Sequence, residues 1–318
     1  MIVARPKKES TMNAVYLRLT LTALMWAGMF HAGQYVVASM SPLAAAAWRF
    51  ALAGLIFLPL VAWREGWSLP GLRRNALVLI VMSVVGVFGF NMGLFYGLQA
   101  TSAVNGALIV GVNPALTAVL AALVNRKLPS TAQVAGLVLG LVGVVVVVSH
   151  GSWATLAGLH VASGDAFVLL GALCWAIYTA LPQRYIKGLS SVQVAASTVI
   201  GGGLLIVGFA ATSAPDFVQM PSLPILAAIG FMGIFGSVLA YLWWNDGIKV
   251  VGPTQAAICM NFVPLFATLI GLLRGQSVSA AQWGGAVLVV SGVLVSALWK
   301  KPLAALPVAP VNTPLCKA

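Results

Sequence analysis

TSAVNGALIVGVNPALTAVLAAL, residues 101–123, is answered near the C-terminus by GPTQAAICMNFVPLFATLIGLL, residues 252–273. Both stretches are apolar, and each has a proline near its middle, Pro114 and Pro264, 150 residues apart. A mid-helix proline removes one hydrogen bond and crowds the carbonyl four residues back, here Val110 and Met260, so each helix is expected to bend there. In lipid the freed carbonyls need neighbouring helices or a water-lined cavity, and paired breaks in corresponding halves of a chain point to a binding site. Pro114 and Pro264 are therefore candidate hinges, the alternative being a packing kink.

The rest of the composition says what surrounds these stretches. Of 318 residues 61% are hydrophobic and only 7% charged, too few charges to cover a soluble core of this length. The chain reads as an integral membrane protein with the lipid bilayer as its partner. A net charge of +12 would suggest nucleic acid in a soluble chain. Here the bases sit at the ends of apolar segments, which is an orientation signal, so no nucleic acid is expected. Cys174 and Cys259 lie in apolar spans and Cys316 in the tail, a spacing that suits neither a disulfide nor a metal. The N-terminal run could pass for a signal peptide, but residues 24–34 are echoed later in the chain, so it reads as a retained helix.

A membrane-crossing helix needs about 20 mostly apolar residues. Ten candidates lie near residues 16–38, 44–63, 76–96, 103–124, 132–149, 164–184, 192–212, 224–245, 253–273 and 282–299. With a cytoplasmic N-terminus, all 17 Lys and Arg except Arg49 and Arg274 fall on the inner side, which places both termini in the cytoplasm. Leu24-Met25-Trp26-Ala27 returns as Leu173-Cys174-Trp175-Ala176, and Gly86-Val87-Phe88-Gly89 as Gly233-Ile234-Phe235-Gly236. Ala132-Gln133 with Gly136 and Gly143 returns as Ala281-Gln282 with Gly285 and Gly292. Five helices per half is an odd number, so the second half must run with opposite topology. The expected fold is an all-α integral membrane protein of ten transmembrane helices in two inverted five-helix repeats, 14–150 and 163–299. Cytoplasmic tails, 1–13 and 300–318, flank them.

The Trp-Ala pair of helices 1 and 6, the proline of helices 4 and 9 and the AQxxG start of helices 5 and 10 resemble the drug/metabolite transporter superfamily, EamA type. Within it the chain is similar to YddG-type exporters of aromatic amino acids. The resemblance implies an exporter in the cell inner membrane. Many members carry a glutamate six residues before the glutamine of helices 5 and 10; here Lys127 and Gln276 stand there, so no role of that carboxylate carries over.

Within the spans, the residues suggest a wall. Trp26, Phe30 and Gln34 recur every four residues with His31 beside them, sharing a broad face of helix 1. Helix 6 adds Trp175 and Tyr178, helix 3 Asn91 and Tyr96, helix 4 Asn105 and Asn113, helix 8 Asn245, and helix 9 Gln255 and Asn261. Aromatics give stacking surfaces and amides hold ammonium or carboxylate groups. The candidate substrate-binding residues are Trp26, Phe30, His31, Gln34, Asn91, Tyr96, Trp175, Tyr178, Asn245 and Gln255. His31, near the middle of helix 1, reads as a neutral hydrogen-bonding group or a titrating one. Trp63, Tyr241, Trp243, Trp244 and Trp299 sit near span ends, where interfacial anchoring is expected. Mid-span amides serve helix–helix bonds equally well. Gly89, Gly93 and Gly97, and Gly136 with Gly140, follow the small-xxx-small pattern of close helix packing.

Acidic residues and basic ones alike are read as absent from the span centres, which favours neutral or zwitterionic cargo and argues against tight proton coupling. No phosphate loop, catalytic cluster or metal-ligand set occurs, so neither an enzyme nor a cofactor is expected. The reading is a secondary exporter of neutral, aromatic amino acids working by alternating access, with a monomer as the expected state. An exporter of neutral drugs or metabolites is the alternative. A pore or a scaffold protein is the alternative of another class.

Overall fold

The computed structural model describes residues 7–101 and 103–298. Trp299 and Cys316, named above, lie outside the described residues, as do the basic residues Arg5, Lys300, Lys301 and Lys317. Among the described residues every regular element is a helix. Nine helices among the described residues are long and apolar enough to cross a membrane: α2 Pro42–Arg64, α3 Ala76–Gln99, α4 Asn105–Asn125, α5 Thr131–Val148, α6 Ser163–Tyr185, α7 Ser191–Ser213, α8 Leu223–Val251, α9 Pro253–Leu273 and α10 Ala280–Leu298. Before them, α1 Lys7–Val37 is a continuous helix of 31 residues. Arg18, His31 and Gln34 dilute its apolar run, and it is not among the nine. The chain is an all-α, multi-pass membrane protein.

Serine caps set several helix starts. Ser130 accepts from the Gln133 N–H while Gln133 reaches back to the Ser130 N–H, and Ser279 and Gln282 repeat this capping box on α10. The AQxxG glutamines are thus helix-start residues. Both proline helices are interrupted just before the ring. α4 breaks at Val112 and α9 at Met260 and Asn261, where i→i−3 bonds from Val112 to Ile109, Met260 to Ala257 and Asn261 to Ile258 tighten the turn. The Met260 carbonyl, crowded by Pro264, takes the Val263 N–H at 2.8 Å.

Two π-helical segments, Met82–Gly89 in α3 and Met232–Leu239 in α8, fall on the repeated GVFG and GIFG stretches. Such segments are rare and concentrate at functional sites.

Lipid tails are as apolar as leucine, so close backbone approach does much of the packing. A Cβ built on Gly143 would lie 2.7 Å from the Gly285 carbonyl, and one on Gly292 would lie 2.7 Å from the Gly136 carbonyl, so α5 and α10 meet glycine to glycine. Gly93 and Gly97 seat α3 in the same way against Gly171 and Gly164 of α6. α2 and α7 pair along their lengths and are clasped at both ends. On one face Ser41 donates to Asp216 from its N–H at 2.5 Å and its Oγ at 2.7 Å. On the other, Ser190 Oγ donates to Glu65 at 2.5 Å.

Candidate functional site

Trp175 of α6 is the hub of a buried aromatic cluster. Its ring stacks on Tyr178 at 5.2 Å and meets Trp26 of α1 edge-on at 5.4 Å. Phe90 of α3 lies at 5.2 Å, Tyr241 of α8 at 5.6 Å and Trp244 of α8 at 5.7 Å. Trp26 and Trp244 close the ring at 5.2 Å. The two π segments deliver part of this directly: Phe90 follows the first, Tyr241 comes shortly after the second, and the Gly236 carbonyl within the second accepts from Trp26 Nε1 at 3.2 Å. The proline break of α9 supplies Met260, whose sulfur receives Trp175 Nε1 at 3.3 Å.

A hydrogen-bond chain runs behind the rings. Asn245 Nδ2 donates to the Tyr178 hydroxyl at 2.8 Å, and Thr198 gives its only proton to the Val194 carbonyl, so Tyr178 must donate to Thr198 Oγ1 at 3.2 Å. Among the described residues eight buried polar side-chain atoms have no partner; Trp244 Nε1 and Asn245 Oδ1 belong to the cluster and its hydrogen-bond chain, and Arg49 Nε belongs to the guanidinium that meets Asn91. A cleft of about 120 Å³, lined by Pro182, Gln183, Ile186, Leu189, Ser191, Val194, Asn245 and Lys249, leads to Asn245 from the Glu65 face.

Arg49 qualifies the reading that basic residues are absent from the span centres. It is the eighth residue of α2 and 8% exposed, with Nη2 donating to Asn91 Oδ1 at 2.6 Å and its guanidinium 4.4 Å from the Phe50 ring centroid. Asn91 Nδ2 is held in turn by the Val87 carbonyl at 2.6 Å, inside the first π segment. The charge count assigns Arg49 to the outer side although the expected span, 44–63, already contains it; the helix starts at Pro42.

Of the candidate wall residues, the structure brings Trp26, Trp175, Tyr178 and Asn245 together, with Asn91 beside them through Phe90 and Arg49. Gln255 bonds Ser296 Oγ at 2.9 Å and ties α9 to α10. Phe30 is 45% exposed, and Gln34 and Tyr96 are exposed as well. His31 lies near the end of α1 and not at its middle. Its Nε2 meets the Ala267 carbonyl at 3.1 Å and its Nδ1 meets Arg274 Nη1 at 3.1 Å. A carbonyl and a guanidinium together require the neutral tautomer with hydrogen on Nε2. Asn105 bonds Asp165, and Asn113 bonds the Ala172 carbonyl, both across helices.

Tyr241 and Trp244 correct the interfacial reading: both are buried, Trp244 at 1%. α8 runs for 29 residues, Leu223–Val251, so these rings lie inside it and not at its end. Trp63, by contrast, is 86% exposed. The signal that marks Tyr241 and Trp244 is the helical spacing of Tyr241, Trp244 and Asn245 along one face, continuing to Ile248.

The EamA-like transporter family matches this chain twice, over residues 14–149 and 162–298. The uncharacterized transporter YyaM of Bacillus subtilis (strain 168) is 39% identical over 283 residues, which cover 89% of this chain and 93% of that one. The uncharacterized inner membrane transporter YicL of Salmonella typhimurium is 25% identical, covering 89% and 94%. An S-adenosylmethionine/S-adenosylhomocysteine transporter of Chlamydia trachomatis serovar D is 29% identical over 83% of each chain. A solved crystal structure at 20% identity superposes with a TM-score of 0.75 over 89% of this chain and 97% of the other, a likeness of fold.

Proposed function

The chain belongs to the EamA-like transporter family, and from that premise we propose that it is a secondary carrier of ten transmembrane helices. It works by alternating access about a site at the centre of two inverted five-helix repeats, 14–150 and 163–299. The reciprocal contacts support this topology. Gly136 against Gly292 becomes Gly285 against Gly143 when the halves are exchanged, and the Ser41–Asp216 clasp becomes Ser190–Glu65. A two-fold axis in the membrane plane requires such pairs. Fifteen of the 17 basic residues on one side support cytoplasmic termini.

The observation that carries the function is the Trp26–Trp175–Trp244 cluster. Two of its rings sit at matching positions of the two repeats; Trp26 bonds the Gly236 carbonyl of the second π segment, and Trp175 bonds Met260 at the α9 break. Such rings suit a flat apolar body, and the neighbouring amides suit an amino-acid head group. The cargo is accordingly a zwitterion with an aromatic side chain, bound by Trp26, Trp175, Tyr178, Asn91 and Asn245. Phe30, His31, Gln34 and Tyr96 line the approach from the Ser41 face, and Gln255 supports α9 from behind. Pro114 and Pro264 are the hinges. Glu65, Asp165 and Asp216 lie at helix ends or loops and Asp246 is paired with Arg18, which favours movement down the cargo's own gradient. Export from the cytoplasm follows from the family resemblance.

A second reading has its own support: S-adenosylmethionine and S-adenosylhomocysteine, named for the Chlamydia relative, join an amino-acid head to a flat base. Counterflow by the purified protein in liposomes separates the two. Saturable exchange of labelled phenylalanine or tryptophan supports the first; exchange of S-adenosylhomocysteine with no aromatic amino-acid exchange supports the second. Non-saturable leakage of both means a pore and defeats the carrier.

A further inference from the structure

Arg49 is a buried cation with no carboxylate. The described carboxylates outside the N-terminal turn are engaged elsewhere: Glu65 by Ser190, Asp165 by Thr101, Asn105 and Ala162, Asp216 by Ser41, and Asp246 by Arg18. The Arg18–Asp246 pair is the one ion pair among the described residues. Holding an unneutralised guanidinium at this depth is costly, and ionisable groups inside a membrane protein persist where they serve a ligand or a relay. The fold itself does not ask for the charge. α2 and α7 are both 23 residues long and start 149 residues apart, and the position of Arg49 on α2 is filled on α7 by neutral Thr198.

Its surroundings prepare it for one kind of partner. Asn91 orients Nη2, Phe50 covers one face of the plane, and Nε is left with a hydrogen and no acceptor. A guanidinium so held offers a fork that matches a carboxylate. Its single positive charge balances a monoanion, whereas a phosphate dianion would call for a second base. Phe90, next to Asn91, leads from the fork to the Trp175 ring.

We propose that Arg49 is the docking point for the carboxylate of the transported molecule, with Asn91 positioning the guanidinium and the Trp175 cluster receiving the body of the cargo. This rests on the reading of the chain as a carrier of amino-acid-like molecules. The test uses acid and amide pairs on the full-length purified protein, followed by the tryptophan fluorescence of the cluster: phenylacetate against phenylacetamide, and L-phenylalanine against L-phenylalaninamide. The acid of each pair binds about 10- to 100-fold tighter than its amide. Arg49→Gln abolishes that preference; Arg49→Lys keeps part of it, because the charge stays and the fork is lost. The wild-type comparison needs no variant to fold. Equal affinity within both pairs, or no response to any of the four, overturns the anchor. Phenylacetate preferred over its amide without counterflow of phenylalanine keeps the anchor and removes the amino-acid cargo; phenylalanine counterflow without acid–amide discrimination does the reverse.

Discussion

Helices α2 and α7 have the same length, the same serine cap and the same kind of clasp to a carboxylate beyond the partner's far end, yet one carries Arg49 where the other carries Thr198. Their ends follow the repeat and their middles depart from it. The same division runs through the molecule. The α5–α10 seam is built of glycines that contact one another reciprocally, and backbone meets backbone there. At the centre, Trp26 and Trp175 keep the match, but Tyr178 corresponds to Met29, 149 residues away, and Asn245, at the 147-residue offset of the GVFG and GIFG stretches, to Leu98. Where the halves agree they hold the fold together. Where they differ, Arg49 Nε and Asn245 Oδ1 are left without partners.

The largest effect is expected at the symmetric seam. Gly143→Val drives a side chain into the Gly285 carbonyl and the Val289 N–H, at 2.7 and 2.8 Å from the first carbon alone. Because those atoms are backbone and cannot rotate away, the loss should reach about 3 kcal/mol or more. The check is the yield and thermal stability of purified protein. A variant as stable as wild type would show that the seam does not carry the fold. Next comes the centre. Trp175→Ala removes the ring that five others touch and should lower stability by about 3–5 kcal/mol while weakening binding of aromatic acids in fluorescence titrations. Trp26→Ala, at a half-buried ring, should weaken binding with a smaller stability loss. Unchanged binding in both would return the cluster to packing.

Much of the symmetric part was legible in the sequence because its causes are local. Proline breaks a helix wherever it sits, glycine every fourth residue allows close approach, and a serine three before a glutamine caps a helix start. The asymmetric part was harder to read, since it depends on helix length and tertiary contact. Arg49 counts with the outer side although the span 44–63 contains it, because a charge tally does not show which way a long side chain runs; from Pro42 it stands about 10 Å into the helix. Tyr241 and Trp244 read as interfacial because nothing in hydropathy signals that α8 extends to Val251. The GVFG and GIFG echo pointed to the right places, but repetition alone could not reveal that they wind as π helix. His31 lacked a visible partner because Arg274 is 243 residues away.

Pro114 tests whether the two kinds of region communicate. Its ring enforces the break at Val112, beside Asn113, which bonds the Ala172 carbonyl of α6 at 3.1 Å. Pro114→Ala restores an N–H that can bond Val110 and lets α4 straighten, so stability should hold or rise. If the break is the hinge, counterflow slows about tenfold, a barrier rise of about 1.4 kcal/mol, with affinity little changed. Normal turnover would leave the break as packing alone.

The smallest effect should come from the Ser41–Asp216 clasp, where acid breaks the match between the two ends of α2 and α7. Partial burial pushes the Asp216 carboxyl upward, but the hydrogen bonds from the Ser41 N–H and Oγ outweigh it and hold the group below its ordinary value of 3.8. A carboxyl lowered in the folded state binds its proton more readily when unfolded. Its stabilisation is therefore complete above the unfolded value and lost as the pH falls through the folded one. Thermal melts of wild type should lose a little stability below about pH 4, and Asp216→Asn should remove that part of the slope while lowering the plateau slightly. The loop around Asp216 is partly exposed, so water and salt screen much of the gain. If Asp216→Asn leaves both slope and plateau untouched, the clasp on the Ser41 face is incidental, and the resemblance between the two ends of the helix pair is one of geometry without energy.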